Sequence, residues 1–251
     1  MEDYRVKINS PILTRMQAMS LFFFFAFIFV LANSELSAQP HFNNSSFSGL
    51  WIAYDSTQQE RDTLYMISDG NGNILDCNTF HFSSQNSFYS VQENGAITIG
   101  LHMEHDGLME FNGFLLSSTE GSIAIEFDDG ALSFDLKKVS DKSVLQGTWF
   151  GAFDSRDVRF TVDADGEVSS FSGFENPVSG RIYAQNGFVA GFIESAEQGD
   201  FYLIKINGVF DGENIISGTF GSDNRGPVLT DIILERRDPA LPGVKMLLLD
   251  E

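Results

Sequence analysis

Short stretches of alternating apolar and polar residues fill the chain between residues 50 and 237. This alternation directs successive side chains to opposite faces of an extended strand, and it is typical of antiparallel sheets. Gly, Asn and Asp gather between the stretches, as in Asp69-Gly70-Asn71-Gly72 and Glu93-Asn94-Gly95, and predict tight turns. The pattern predicts sixteen strands, near 50–55, 63–68, 73–78, 86–92, 95–102, 108–116, 122–127, 131–138, 148–153, 157–162, 167–172, 178–184, 188–194, 201–210, 214–220 and 228–237.

The chain also repeats itself. Gly49-Leu50-Trp51 returns as Gly147-Thr148-Trp149, and these segments hold the only two tryptophans. The tryptophans are 98 positions apart, and so are Lys138 and Arg236 near the ends of the two copies. Such a repeat predicts a duplicated domain. Three glycine pairs keep similar separations, namely Gly72 with Gly166, Gly95 with Gly187 and Gly113 with Gly208. The chain therefore divides into residues 1–38, a polar leader at 39–47, a first unit at 48–140, a second unit at 141–238 and a tail at 239–251.

Eight short strands joined by hairpins leave two unpaired edges, and closing the sheet removes them. We therefore predict an all-β fold of two tandem antiparallel eight-stranded meander barrels. The alternative is one sixteen-stranded outer-membrane barrel. Its strands would need about 9–11 residues and an outward apolar band, and most of the predicted strands are shorter than that.

The opening Gly-x-Trp of each unit resembles the first strand of the calycin group, which contains the lipocalins and avidins. In that group the tryptophan packs at the closed end of the barrel against a basic side chain from the last strand. Alternation places a cation at the end of the apolar face in both last strands here. The resemblance thus implies that Trp51 packs on Lys138 and Trp149 on Arg236, in a structural role. It implies the barrel but no ligand, because no later tryptophan is present to wall a biotin pocket.

The N-terminal residues predict export. Arg5, Lys7 and Arg15 precede an apolar core at 21–32, which is the pattern of a secretory signal peptide. An uncleaved anchor is the alternative, although a spanning helix needs about 20 apolar residues. We expect cleavage after Leu36-Ser37-Ala38, with Ala32-Asn33-Ser34 as the competing site. The mature protein would then be periplasmic or extracellular, without a membrane span.

Charge narrows the range of partners. The formal net charge is −20, and residues 1–38 hold three charges of each sign, so the remainder keeps this value. Such a surface repels phosphate backbones and anionic headgroups, which argues against nucleic acid and against peripheral membrane binding. The single cysteine, Cys77, cannot form an internal disulfide, and we expect a buried thiol.

The candidate for metal binding is His102, Glu104 and His105, since histidine and acidic side chains gather there at the end of a strand. A polar hairpin tip is the competing interpretation. The turns at 69–72 and 163–166 resemble calcium loops only in their Asp and Gly content. They lack the distal glutamate and flanking helices of an EF-hand, and hairpin geometry explains them.

No catalytic motif is found: the sequence has no nucleophile elbow, phosphate loop, zinc-protease helix or dinucleotide fingerprint. We therefore predict no catalytic residues and no cofactor. The first hypothesis is a secreted non-enzymatic barrel protein that binds a small apolar or amphipathic ligand. The alternative is a structural or interaction module with filled barrels that recognises an extracellular protein or glycan, and the third hypothesis is a hydrolase.

Overall fold

The computed structural model describes residues 40–55, 63–79, 81–104, 107–127, 130–153, 156–174, 176–197, 200–222 and 230–237. These residues form two antiparallel, nearly closed eight-stranded barrels in tandem, which confirms the predicted fold class and excludes a single sixteen-stranded barrel. Two short 3₁₀ helices, Asn44–Phe47 and Lys142–Leu145, are the only helices in the described part of the chain. Neither is long and apolar enough to cross a membrane. The predicted signal peptide, cleavage sites and tail at 239–251 lie outside the described residues.

The sixteen strands follow the predicted order. The first barrel comprises β1 (Gly49–Tyr54), β2 (Thr63–Ser68), β3 (Ile74–Cys77), β4 (Phe82–Val91), β5 (Ala96–Met103), β6 (Gly107–Leu115), β7 (Glu120–Phe127) and β8 (Gly130–Lys138). The second comprises β9 (Gly147–Phe153), β10 (Arg156–Val162), β11 (Val168–Ser172), β12 (Pro177–Gln185), β13 (Phe188–Glu197), β14 (Asp200–Phe210), β15 (Ile215–Ser222) and β16 (Thr230–Arg237).

The largest difference from the predicted boundaries is in β4, which begins four residues earlier than predicted. The strand contains a bulge, because its register against β5 shifts between Ser83 and Phe88, and Asn86 has a φ of 69°. A bulge interrupts the two-residue period on which the prediction rests. The first half of the strand therefore does not show the alternation of its second half.

Both sheets have the same strand order, which is β3-β2-β1-β8-β7-β6-β5-β4 in the first barrel. The first and last strands of each unit are paired, with Trp51 opposite Lys138 and Trp149 opposite Arg236. The remaining seam lies between β3 and β4, and between β11 and β12. One isolated bridge crosses each seam, beside a hydrogen bond to a glycine carbonyl. The Tyr89 N–H donates to Gly72 O at 2.8 Å, and the Ile182 N–H donates to Gly166 O at 2.9 Å.

Inward-facing apolar side chains pack into a hydrophobic core in each barrel. Alternation is clearest in β7, where Ile123 and Ile125 are buried while Ser122 is exposed. The buried side chains of the first core include those of Phe42, Phe47, Trp51, Met66, Ile74, Tyr89, Ile99, Phe111 and Phe134. The second core is built mainly from Leu145, Trp149, Phe160, Ile182, Ile193, Ile206, Phe210, Ile216 and Leu234.

Residues 41–47 of the leader belong to the first barrel. Phe42 and Phe47 are buried, and the Phe47 ring stacks on Trp51 with 4.8 Å between centroids. Leu145 lies 98 positions after Phe47, ends the second 3₁₀ helix and is also fully buried. The polar composition of residues 39–47 concealed this packing. The structural repeat therefore begins at the 3₁₀ helices, before each Gly-x-Trp.

A third apolar cluster joins the barrels. The outer face of β1 and β2 packs against the outer face of β12 and β13. Tyr54 stacks on Phe188 with 3.9 Å between ring centroids, and Tyr65 meets the edge of Tyr183 at 5.1 Å. Different faces of the two copies thus meet, so the contact is heterologous.

Candidate functional site

The closed end of the first barrel is built around Trp51. Its indole is fully buried, and Nε1 donates to Phe47 O at 2.9 Å. Lys138 Nζ lies 5.8 Å from the ring centroid, at the outer limit of a cation–π contact. Gly49 makes this approach possible: its φ is +110°, and a Cβ there would lie 3.2 Å from Lys138 Cε.

The second closed end repeats this arrangement with an arginine. Trp149 Nε1 donates to Leu145 O at 2.8 Å, and Arg236 Cζ lies 5.4 Å from the indole centroid. The guanidinium also donates to the carbonyls of Val144, at 2.9 Å, and Gln146, at 3.2 Å. A Cβ on Gly147, where φ is +142°, would lie 2.8 Å from Arg236 Cδ. Arg236 therefore ties the last strand to the 3₁₀ helix.

The structure thus brings Trp51 and Lys138 together, and likewise Trp149 and Arg236. Both indoles are enclosed, with their N–H groups bonded to carbonyls of the preceding 3₁₀ helix. The indole N–H groups and the faces of both rings therefore contact groups of the protein itself. That these residues close one end of each barrel stays a prediction.

Two of the three predicted metal ligands, His102 and Glu104, lie at the end of β5. His102 is opposite Ser83 on one side and Leu108 on the other, and its Nδ1 is buried without a hydrogen-bond partner. Glu104 is exposed, and His105 lies outside the described residues. Within the described ranges, no three His, Cys, Asp or Glu side chains are placed to hold a metal ion. The three-residue metal site stays a prediction.

The acidic turns use their carboxylates internally. Asp69 Oδ1 accepts the N–H groups of Asn71, at 2.8 Å, and Asn73, at 2.9 Å. Asp163 accepts two N–H groups in the same way, from Asp165 and Glu167. The hydrogen bonds from Asn73 lower the pKa of Asp69 to about 2. These carboxylates stabilise hairpin turns.

A polar cluster between the barrels was not predicted. Arg181 on β12 forms an ion pair with Asp76 on β3 and another with Glu167, whose Oε1 lies 2.8 Å from Nε. Tyr65 Oη donates to Asp76 Oδ2 at 3.1 Å, and burial, with the nearby Asp76 charge, raises the pKa of Tyr65 well above its usual value. Arg181 and Asp76 are 105 positions apart, so local patterning carries no signal of their contact.

Cys77 lies next to this cluster and is a buried free thiol, as expected. Burial raises its pKa to about 12, so the reactive thiolate form is suppressed at neutral pH. We assign it a packing role.

No protein-family model matches the chain. A search of the curated proteins also finds no match. The geometry of the two barrels therefore carries the functional argument.

Proposed function

We propose that the protein is a non-enzymatic interaction module that binds another macromolecule through the outside of its two barrels. The observation that supports this most strongly is the packing of the interior. Inward-facing side chains are buried against one another in both barrels, and an indole lies at each closed end. A barrel that carries an apolar ligand inside needs that volume for the ligand. A barrel filled by its own side chains offers its outer wall and loops instead.

We also propose that each barrel is calycin-like. Two features support this relationship. The first and last strands pair in both units, and each first-strand tryptophan lies beneath a cation from the last strand. This proposal concerns ancestry and architecture. It does not imply that the protein binds a ligand of the calycin group.

We further propose that the protein is exported by the signal peptide at 1–38. The test is expression of the full chain in a bacterium, followed by cell fractionation and N-terminal sequencing. We expect an envelope or secreted product that begins at Gln39. A full-length product in the cytoplasm would contradict export, and a product that begins at Glu35 would favour the competing cleavage site.

The interaction function is tested by two measurements on the purified protein. The protein is immobilised and challenged with an envelope extract of the source cell, and we expect saturable retention of one protein or glycan. Native mass spectrometry, with a fatty acid added as probe, tests the competing small-ligand hypothesis. We expect the mass of the polypeptide alone. A stoichiometric fatty acid complex without any retained macromolecule would overturn the proposal.

A further inference from the structure

The outer wall of the second barrel carries three exposed aliphatic side chains. Val209, Ile215 and Ile233 have 46%, 40% and 61% of their surface exposed. Val209 and Ile233 both lie directly opposite Ser217 on β15, and Ile215 is two positions before it. Residues opposite one another in antiparallel strands share a face, as do residues two apart in one strand. The three side chains therefore form one surface across β14, β15 and β16, which we call the aliphatic patch.

The first barrel shows that the fold does not require this patch. In its matching row, Phe114 is opposite Ser122, and Ser122 is opposite Asp135. Asp135 thus occupies the position of Ile233. Glu120 occupies the position of Ile215 and forms an ion pair of 2.6 Å with Lys137. In the first barrel Phe114 is exposed at the position of Val209, but charged residues stand in place of Ile215 and Ile233, so closure of the barrel does not require these two aliphatic side chains.

Charged side chains border the patch, with opposite signs on its two sides. Phe150 on β9 contacts two guanidiniums, with Arg159 Cζ 5.4 Å and Arg237 Cζ 5.1 Å from its ring centroid. Both arginines are exposed and lie on the side nearest the closed end. Glu235 stands between them and the patch, and its Oε2 accepts from Arg237 at 3.1 Å.

An exposed carboxylate, Asp231 on β16, lies on the opposite side, two positions from Ile233. A second exposed carboxylate, Asp157 on β10, is level with Ile233, because Asp157 is opposite Ala152, and the neighbouring Gly151 is opposite Leu234. The border is therefore positive toward the closed end and negative away from it. A segment with one acidic end and one basic end matches both sides.

We propose that the aliphatic patch binds an extended polypeptide segment of a partner protein, with an aliphatic centre and an acidic end that meets Arg159 and Arg237. The inference rests on the proposed interaction function and names its partner class. Exposed contiguous aliphatic surface marks a contact site, and its burial favours association. The net charge of −20 disfavours an anionic membrane. Aliphatic side chains also offer no hydrogen bonds to sugar hydroxyls, so a glycan fits the patch poorly.

The test uses synthetic peptides and fluorescence anisotropy with the purified protein. The probe has five alternating leucine and valine residues, with two lysines at one end and two glutamates at the other.

Ile233→Asp places in the second barrel the residue that the first barrel has there, so the fold tolerates it. We expect this variant to weaken binding at least tenfold. Arg159→Gln with Arg237→Gln should weaken it at least threefold and reduce its salt dependence. Phe114→Ser, on the matching wall of the first barrel, is the control and should leave affinity unchanged.

Three results would overturn the inference. The first is equal affinity of Ile233→Asp and the parent protein. The second is equal binding of a peptide in which lysines replace the glutamates. The third is patch-dependent self-association, or a gain in peptide affinity when residues 238–251 are removed, since the chain would then supply its own occupant. If an envelope macromolecule is retained equally by the patch variants, the patch assignment fails while the interaction function stands.

Discussion

At the scale of single residues, the glycine of each Gly-x-Trp has a definite task. Gly49 and Gly147 have φ values of +110° and +142°, where L side chains are strained, and each leaves room for the stem of the cation that covers its tryptophan. The sequence identified both glycines as landmarks. The space that they leave open depends on the last strand, about ninety positions later.

Gly147→Ala is expected to destabilise the protein by about 2–3 kcal/mol, because backbone strain adds to a clash with Arg236. Urea unfolding followed by tryptophan fluorescence measures this. Gly212→Ala is the matched control, since Gly212 has a φ of +94° but no heavy atom within 4 Å of an added Cβ. We expect about 1 kcal/mol there. Equal effects at both positions would show that the contact with Arg236 contributes nothing.

Asp69 gives a prediction about pH. Its pKa is lowered to about 2 by hydrogen bonds that require the charged carboxylate. A group with a depressed folded-state pKa stabilises the fold above its unfolded-state pKa near 3.9, and this contribution is lost as the pH falls toward 2. An NMR titration should place the Asp69 carboxyl near 2, and Asp69→Asn should reduce the loss of stability between pH 4 and pH 2. Asp165→Asn is the control, since Asp165 contributes its backbone N–H to the equivalent turn. A titration of Asp69 near 4 would contradict the turn geometry.

At the scale of elements, each barrel closes where its first strand meets its last, and the 3₁₀ helix is fastened beneath that junction. Arg236 contacts the Trp149 ring and two carbonyls around the helix Lys142–Leu145, whereas Lys138 supplies a single ammonium at the same place. We expect Arg236 to stabilise this junction more than Lys138 does, because the planar guanidinium donates hydrogen bonds to several acceptors at once.

Arg236→Ala should therefore lower the free energy of unfolding by about 2–3 kcal/mol, since it removes ring contacts and carbonyl hydrogen bonds together. Arg236→Lys should recover part of the loss, because the first barrel functions with Lys138. Thermal unfolding monitored by circular dichroism measures both variants. Arg237→Ala, on the outer face, is the control and should change stability by less than about 0.5 kcal/mol. An Arg236→Ala variant that is as stable as the parent would show that Arg236 does not stabilise this junction.

At the scale of the whole molecule, the two barrels share an apolar face and an ion cluster. Tyr65 and Tyr183 occupy outward-facing positions of their barrels, yet both are buried by the other barrel. Arg181 bridges the units through Asp76. We expect this contact to couple the unfolding of the two barrels.

Arg181→Ala is expected to separate one cooperative urea transition into two, because it leaves Asp76 without its cation at the contact. Single-tryptophan variants, Trp51→Phe and Trp149→Phe, leave one fluorescent reporter each, and in each variant the fluorescence midpoint is compared with the midpoint from far-UV circular dichroism of the same protein. The two midpoints should coincide when Arg181 is present and differ when Arg181 is replaced. Lys137→Ala removes an ion pair within the first barrel and should leave the midpoints coincident. Midpoints that already differ in the parent protein would show that the barrels unfold independently.

The sequence by itself determined the sixteen strands, their order and the repeat of two units. Alternation and turn residues are local properties, and the two-residue pattern can be detected in the sequence wherever one face of a strand is buried. It also indicated that Trp51 contacts Lys138 and that Trp149 contacts Arg236, because the duplication repeats both residues.

Only the tertiary structure decided which outward faces meet and which stay exposed. Tyr65, buried by the second barrel, and Ile233, exposed on its wall, both stand on outward faces, and a two-residue period cannot separate them. The burial of Phe47 in a polar leader and the pairing of Arg181 with Asp76 likewise depend on segments far apart in the chain. Strand formation follows from neighbouring residues, whereas these contacts depend on how complete barrels and their flanking segments pack, which no local pattern encodes.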